Sequence, residues 1–171
     1  MPRRPARSVP LLVLHGMNGP RPGLWYSWLA EQFRETERDV RIPSLPNSDA
    51  PVLTDWLNVL DAELTDLPDV GFDVVAHSTG ALLWLHHTVR HVDLPRPDRV
   101  ALVAPASGAQ IAAPTFRDVP LDTDAVRRAA EGTVLVGGDE DPWCPEGVAL
   151  AYGSPLKMAT TVIAGGGHLN D

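Results

Sequence analysis

The 171-residue chain has a single cysteine, a single lysine and no apolar run long enough to cross a membrane. Cys144 has no second cysteine to pair with, so no internal disulfide can form. This fits a reducing compartment, and we expect a cytoplasmic protein. The apolar stretch over residues 9–14 is too short for a membrane span, so we expect no membrane partner.

Basic side chains are scarce. Lys157 is the only lysine, and 14 Lys and Arg residues stand against 22 Asp and Glu residues, which gives a formal net charge of −8. The sequence has no stripe of basic residues, so we expect no nucleic-acid partner. A hydrophobic share of 44% and a charged share of 21% exclude a disordered chain, a collagen and a coiled coil.

The length allows one domain of ordinary size, because two halves of 171 residues would each have a marginal core. We predict a single domain over residues 9–171, preceded by a disordered basic tail over residues 1–8. The sequence has no internal repeat, no interdomain linker and no inserted cap domain.

Short apolar strands alternate with amphipathic helices along this domain. Strand patterns cover residues 9–14, 40–42, 72–76, 100–104, 133–137 and 160–164, and helical patterns cover residues 25–36, 53–67, 80–92, 125–131 and 145–152. Such alternation is typical of right-handed βαβ crossovers, with helices on both faces of a parallel sheet. We predict an α/β fold, a three-layer α/β/α sandwich with a mainly parallel sheet of about five to six strands.

The segment Ala76-His77-Ser78-Thr79-Gly80 joins a predicted strand to a predicted helix. A serine in such a turn has a strained backbone and projects its hydroxyl above the sheet, where it can act as a nucleophile. The residues two before and two after it must be small. Ala76 and Gly80 satisfy this, although the usual pattern has glycine at the first place. The alternative is an ordinary helix start with Ser78 as its N-cap.

A serine nucleophile needs an acid and a histidine base, which in this architecture follow it in that order, each after a later strand. His168 follows the last predicted strand in a glycine-rich loop, where the alternative is a surface histidine. Asp139, Glu140 and Asp141 all follow the strand before it. Asp141 precedes a proline, which restricts its backbone, but the residues alone leave the choice of acid open.

An oxyanion hole needs two backbone N–H groups aimed at the developing negative charge. We expect one from Thr79, directly after the nucleophile, and one from Met17 in the loop after the first strand. That loop could also be an ordinary glycine turn. The candidate pocket-lining residues are His15, Asn18, His77 and Trp143.

Other conspicuous residues are predicted to be structural. Four tryptophans have the helical spacing of core residues, namely Trp25, Trp28, Trp56 and Trp84. His87 and His91 have a spacing that can bind zinc, but a zinc site needs three or four ligands and no third ligand is evident. No phosphate-binding glycine motif is present, and we expect neither a metal nor a cofactor.

Together these motifs resemble the α/β-hydrolase superfamily, and in particular its small, lidless serine hydrolases of the retinoblastoma-binding-protein/YdeN type. The resemblance runs from about residue 9 to the end of the chain. It rests on Leu14-His15-Gly16, Trp25-Tyr26-Ser27-Trp28-Leu29, His77-Ser78-Thr79-Gly80, Asp141-Pro142-Trp143-Cys144-Pro145 and Gly167-His168. It implies Ser78 as nucleophile, Asp141 as acid and His168 as base.

The resemblance also implies a final helix that packs beside the helix at residues 25–36. The sequence stops three residues after His168, so we expect this C-terminal helix to be missing. Either the chain is a fragment with an uncovered apolar strip of the sheet, or something else, such as a partner subunit, covers that face. Such a strip favours association, and we therefore predict weak stability or a homodimer.

Without a lid, the site is expected to be open to small or exposed acyl groups. The first hypothesis is a serine hydrolase that cleaves a small carboxylic ester through an acyl-enzyme, with thioesters and amides as further substrates to test. The expected partner is thus a small-molecule acyl substrate. The alternative is a protein-interaction module that keeps this fold with little or no catalysis.

Overall fold

A computed structural model describes residues 9–36, 38–67, 71–90, 93–130 and 132–170. The predicted tail over residues 1–8 lies outside these residues. The sheet has six parallel strands in the spatial order β2-β1-β3-β4-β5-β6. The strands are β1 (Leu11–Leu14), β2 (Val40–Arg41), β3 (Asp73–His77), β4 (Arg99–Val103), β5 (Gly132–Gly138) and β6 (Ala159–Ile163). This architecture confirms the predicted α/β fold.

Among the described residues, five α-helices connect the strands. They are α1 (Trp25–Glu35), α2 (Leu53–Asp66), α3 (Thr79–Thr88), α4 (Thr123–Ala129) and the single turn α5 (Ser154–Leu156). Within the described residues, no helix is both long and apolar enough to span a membrane.

The two faces of the sheet are covered unequally. On one face, Leu12, Val74 and Leu102 join side chains of α2, α3 and α4 in the main core. On the other face, Leu11 and Val13 pack with α1 in a smaller cluster. A strand of a parallel sheet that is covered on both faces needs apolar side chains on both faces. These strand segments therefore have continuous rather than alternating apolar patterns.

The face that carries α1 becomes more exposed from β1 towards β6. Val13, Val75, Ala101 and Val134 are aligned across four neighbouring strands and therefore point to this same face. Val13 is fully buried, whereas Val134 is 41% exposed, and Ile163 on β6 is 43% exposed. The helices among the described residues therefore leave an apolar strip of this face partly exposed.

Two predicted helices differ from the structure. The helix predicted over residues 80–92 ends at Thr88, and residues 91–92 lie outside the described part of the chain. The helix predicted over residues 145–152 is displaced towards the C-terminus, where a wide π-helical turn over Ala149–Gly153 leads directly into α5. Gly147, at φ +82°, has a left-handed conformation that interrupts the predicted helix.

Candidate active site

Ser78 lies at a tight turn between β3 and α3. Its φ of 53° and ψ of −119° are unusual for a residue with a side chain, and its amide N–H donates to the Val103 carbonyl at 2.8 Å. A Cβ atom on Gly80 would collide with the backbone carbonyls of Leu14 and His15. The Ser78 hydroxyl makes no cap hydrogen bond to α3, so it does not serve as the N-cap that the sequence offered as an alternative.

The hydroxyl of Ser78 instead belongs to a line of hydrogen bonds. His168 Nε2 lies 2.9 Å from Ser78 Oγ, and His168 Nδ1 lies 2.8 Å from Asp141 Oδ2. The second carboxylate oxygen, Asp141 Oδ1, accepts the Trp143 backbone N–H at 2.8 Å. Asp141 is 2% exposed, so both of its oxygens are held in place away from solvent.

The two neighbouring carboxylates have other surroundings. The Asp139 carboxylate accepts the backbone N–H of Gly165. The backbone carbonyl of Asp139 accepts the N–H of Gly167 at 3.0 Å. Asp139 therefore links the end of β5 to the loop that carries His168. Glu140 is exposed and occupies the left-handed region at φ +56°.

The two expected oxyanion-hole residues flank Ser78. Met17 and Thr79 both line the cavity that contains the Ser78 side chain. Thr79 is the first residue of α3, where a backbone N–H has no partner within the helix. Among the described residues, no hydrogen bond uses the Met17 N–H, and the next residue, Asn18, is fixed at φ +66° by donation to the Ser48 carbonyl at 2.7 Å.

The cavity has a volume of about 270 Å³. Of the candidate pocket residues, Asn18, His77 and Trp143 line it, together with residues that the sequence reasoning missed. The missed residues are Gly16, Arg21, Leu24, Tyr26, Ala106, Gln110, Ile111, Ala112 and Asn170. Apart from Tyr26 on α1, they come from loops and short turns without a periodic pattern, so the sequence held no signal for them.

His15 does not line the cavity. Its Nδ1–H donates to the Gly16 carbonyl at 2.7 Å, and its Nε2 accepts the Leu45 N–H at 3.4 Å. The ring packs edge-on to Trp56 at a centroid distance of 5.7 Å. Burial lowers the pKa of His15, which fits a neutral ring that shapes the loop from behind.

His77 is buried beside the base. Its Nε2 lies 3.2 Å from the carbonyl oxygen of His168, and its ring centroid is 5.4 Å from that of His168. Burial lowers the pKa of His77 to about 4, so the ring is neutral at physiological pH.

The predicted structural residues have mixed outcomes. Trp56 and Trp84 are buried, but Trp28 is 61% exposed, so its assignment to the core is wrong. Trp25 packs against Tyr26 and also donates its indole N–H to the Leu169 carbonyl at 2.8 Å, a role that helical spacing could not reveal.

His91 lies outside the described residues. His87 packs on Trp84 at a centroid distance of 5.2 Å. In the described part of the chain, no three His, Cys, Asp or Glu side chains are arranged to hold a metal ion.

Burial raises the pKa of Cys144, so its thiol resists conversion to the reactive thiolate.

Solved structures resemble this fold over nearly its whole length. The ydeN gene product from B. subtilis has a TM-score of 0.81 at 21% identity, with 94% of this chain and 88% of that one covered. A putative YdeN-like hydrolase from Pectobacterium atrosepticum has a TM-score of 0.73 at 17% identity, covering 95% and 80%. Est1E from Butyrivibrio proteoclasticus has a TM-score of 0.67 at 18% identity, covering 100% and 84%.

At these identities, the likeness shows the α/β-hydrolase fold alone. A comparison with functionally curated proteins finds no significant match. The serine hydrolase family model, by contrast, matches residues 11–171, a stretch that contains the Ser78 turn, the Asp141 loop and the His168 loop. The chain therefore belongs to the serine hydrolase family.

Proposed function

We propose that this serine hydrolase cleaves small carboxylic esters, with Ser78 as nucleophile, His168 as general base and Asp141 as the orienting acid. The observation that carries the proposal is the continuous hydrogen-bonded line from Ser78 Oγ through both nitrogens of His168 to Asp141. The base lies 2.9 Å from the nucleophile and 2.8 Å from the group that orients it. Acyl transfer by a serine requires this arrangement.

The mechanism follows from this geometry. With its Nδ1–H donated to Asp141, His168 presents an unprotonated Nε2 that accepts the Ser78 proton as Oγ attacks the substrate carbonyl carbon. The N–H groups of Met17 and Thr79 stabilise the oxyanion that forms. His168 then returns the proton to the departing alcohol, which leaves an acyl group on Ser78. A water molecule activated by His168 releases the acid and restores the enzyme.

The cavity supports a small acyl substrate. Its volume of about 270 Å³ is modest, and part of its lining near Ser78 is apolar, including Ala106, Ile111 and Trp143. Trp143 is 43% exposed, so the cavity opens to solvent beside the base. The esterase domain of a Rhodothermus marinus protein, which has a similar fold, supports the same reaction class.

A panel of p-nitrophenyl esters of increasing acyl length tests the proposal, with matched thioesters and amides included. We expect the short-chain esters to be turned over fastest. Ser78→Ala should lower kcat/KM by a factor of about 10³ or more, because the members of such a triad act as a unit. Ser44→Ala, at an exposed serine outside the cavity, is the matched control and should match the wild type.

Labelling by a fluorophosphonate probe gives a second, substrate-independent measure of Ser78 reactivity. We expect wild-type protein to be labelled and Ser78→Ala to be unlabelled. Undiminished labelling of Ser78→Ala would overturn the nucleophile assignment. Labelling of Ser78 without turnover of any ester would overturn ester hydrolysis and favour thioesters, amides or the interaction module.

A further inference from the structure

The loop that carries His168 is attached differently on its two sides. Before His168, Asp139 holds the loop through the backbone N–H groups of Gly165 and Gly167. After His168, the carbonyl oxygens of His168 and Leu169 are bound by side chains that come from elsewhere in the chain. The second attachment is independent of Asp141 and Ser78.

His77 provides the first of these contacts. Its Nε2 is 3.2 Å from the His168 carbonyl oxygen. A carbonyl oxygen only accepts hydrogen bonds, so Nε2 of His77 carries the hydrogen and donates. Because His77 is only 4% exposed, water does not compete for this donor.

Trp25 provides the second contact. Its indole N–H donates to the Leu169 carbonyl at 2.8 Å, although the two residues are 144 positions apart in the chain. The Trp25 ring also stands edge-on to His77, at a centroid distance of 5.9 Å and an interplanar angle of 90°. The Trp25 and His77 side chains therefore pack against each other and also bind the same loop.

The backbone around His168 needs such support. Gly167 and Leu169, its two neighbours, have φ values of +51° and +50°. A leucine in this left-handed region is strained and persists only where its surroundings hold it. Release of the Leu169 carbonyl would let this residue return to an ordinary conformation and turn the backbone of His168 with it.

We propose that Trp25 and His77 form a base clamp, a pair of positioning residues that hold the His168 backbone so that Nε2 stays within hydrogen-bonding distance of Ser78. The proposal rests on the proposed function in that it takes His168 as the base. Neither clamp residue exchanges a proton with substrate. Each acts through the main chain of the His168 loop.

Trp25→Phe tests the clamp, because it removes the indole N–H and keeps an aromatic ring. The control is Trp28→Phe on the same helix, at a tryptophan that is 61% exposed. We expect Trp25→Phe to lower kcat by a factor of about 10 to 100 with KM within about twofold, since small misplacements of a catalytic group have effects of this size. Trp28→Phe should leave both constants unchanged.

Conservative rescue tests the other half of the clamp. His77→Gln keeps a side-chain N–H donor, whereas His77→Leu removes it. We expect His77→Gln to retain most of the wild-type kcat and His77→Leu to lose as much as Trp25→Phe does. Equal losses in the two His77 variants would contradict a hydrogen-bonding role for this side chain.

Two readouts keep the clamp separate from the choice of substrate. One is the rate of fluorophosphonate labelling of Ser78, and the other is the low-field proton resonance of the hydrogen bond between His168 and Asp141. We expect slower labelling and a broadened resonance in Trp25→Phe at an unchanged melting temperature. If the wild type turned over no ester, the proposed function would be contradicted. The labelling rate and the proton resonance could still be measured and would still test the clamp. If Trp25→Phe had the same labelling rate and the same proton resonance as the wild type, the clamp would be overturned.

Discussion

Gly16 packs directly against Ser78. A Cβ atom on residue 16 would lie 2.9 Å from the Ser78 Cβ and 3.4 Å from its Oγ. Real Cβ atoms essentially never approach another atom that closely, so a side chain here would displace either the nucleophile or the loop. The same close approach brings Met17 to the rim of the cavity beside Ser78.

Gly16→Ala should therefore damage the reaction more than the fold. We expect kcat/KM to fall by a factor of about 10 to 100, and the free energy of unfolding to fall by about 1 kcal/mol. Kinetics on a short-chain ester and a denaturant titration measure the two effects. Gly23→Ala is the control, because no atom lies within 4 Å of its added Cβ, although its φ of +89° should reduce stability. Unchanged kcat/KM in Gly16→Ala would contradict this prediction.

The three neighbouring carboxylates should differ sharply in their effect on the reaction. Asp141→Asn should lower kcat by a factor of about 10³ to 10⁴, because the amide favours the wrong His168 tautomer. Asp139→Asn should have a much smaller effect on kcat and should lower the melting temperature, since it replaces the carboxylate that accepts the Gly165 N–H. Glu140→Gln, at an exposed side chain, should change neither quantity. A larger kcat loss in Asp139→Asn than in Asp141→Asn would reverse the proposed assignment.

Stability should fall as the pH drops from about 6.5 towards 4. The folded-state pKa of His77 is lowered from 6.5 to about 4 by burial. Between these values the unfolded chain binds a proton that the folded chain does not, so acid favours unfolding. The shift corresponds to about 3 kcal/mol at most. Melting temperatures measured across this range should fall less steeply for His77→Gln than for the wild type. An equal slope in both proteins would show that His77 does not contribute.

The uncovered strip of the sheet should drive association. Val134 and Ile163 are large, apolar and about two-fifths exposed on the face that α1 covers only in part. We expect a concentration-dependent dimer by light scattering. Val134→Lys should raise its dissociation constant by about tenfold or more, a loss of at least about 1.4 kcal/mol.

Val162→Lys provides the matched control for this association. Val162 is 52% exposed and adjoins Ile163 on β6, but successive side chains of a strand point to opposite faces. It should therefore leave the dimer intact. A wild type that stays monomeric at all accessible concentrations would contradict the prediction.

The positions of Ser78, Asp141 and His168 could be anticipated because each follows an apolar strand. Carboxyl ends of neighbouring parallel strands share one edge of the sheet, so residues 90 positions apart, such as Ser78 and His168, meet there. The same reasoning left three carboxylates open after β5. The backbone path through Glu140, at φ +56°, determines which of them faces His168, and no sequence pattern encodes that path.

The direction of side chains near the loops could not be predicted either, because it depends on contacts that no sequence pattern encodes. His15 and His77 both adjoin the ends of apolar strands, yet only His77 lines the cavity. His15 turns away because the Leu45 N–H, from a distant loop, binds its ring. Trp25 was assigned to packing from its helical spacing, and its hydrogen bond to Leu169 depends on a contact that the sequence pattern does not contain.

The bond between Trp25 and Leu169 joins the first helix to the loop after the last strand. In the proposed mechanism, Ser78 is activated only after β6, which leads into the His168 loop, has paired with β5. On this proposal, reactivity of Ser78 reports that the His168 loop has folded against the serine turn. We expect a chain in which this loop is not yet in place to leave Ser78 without its base. A rapid fluorophosphonate pulse during refolding should therefore label only those molecules in which α1 and the His168 loop have met.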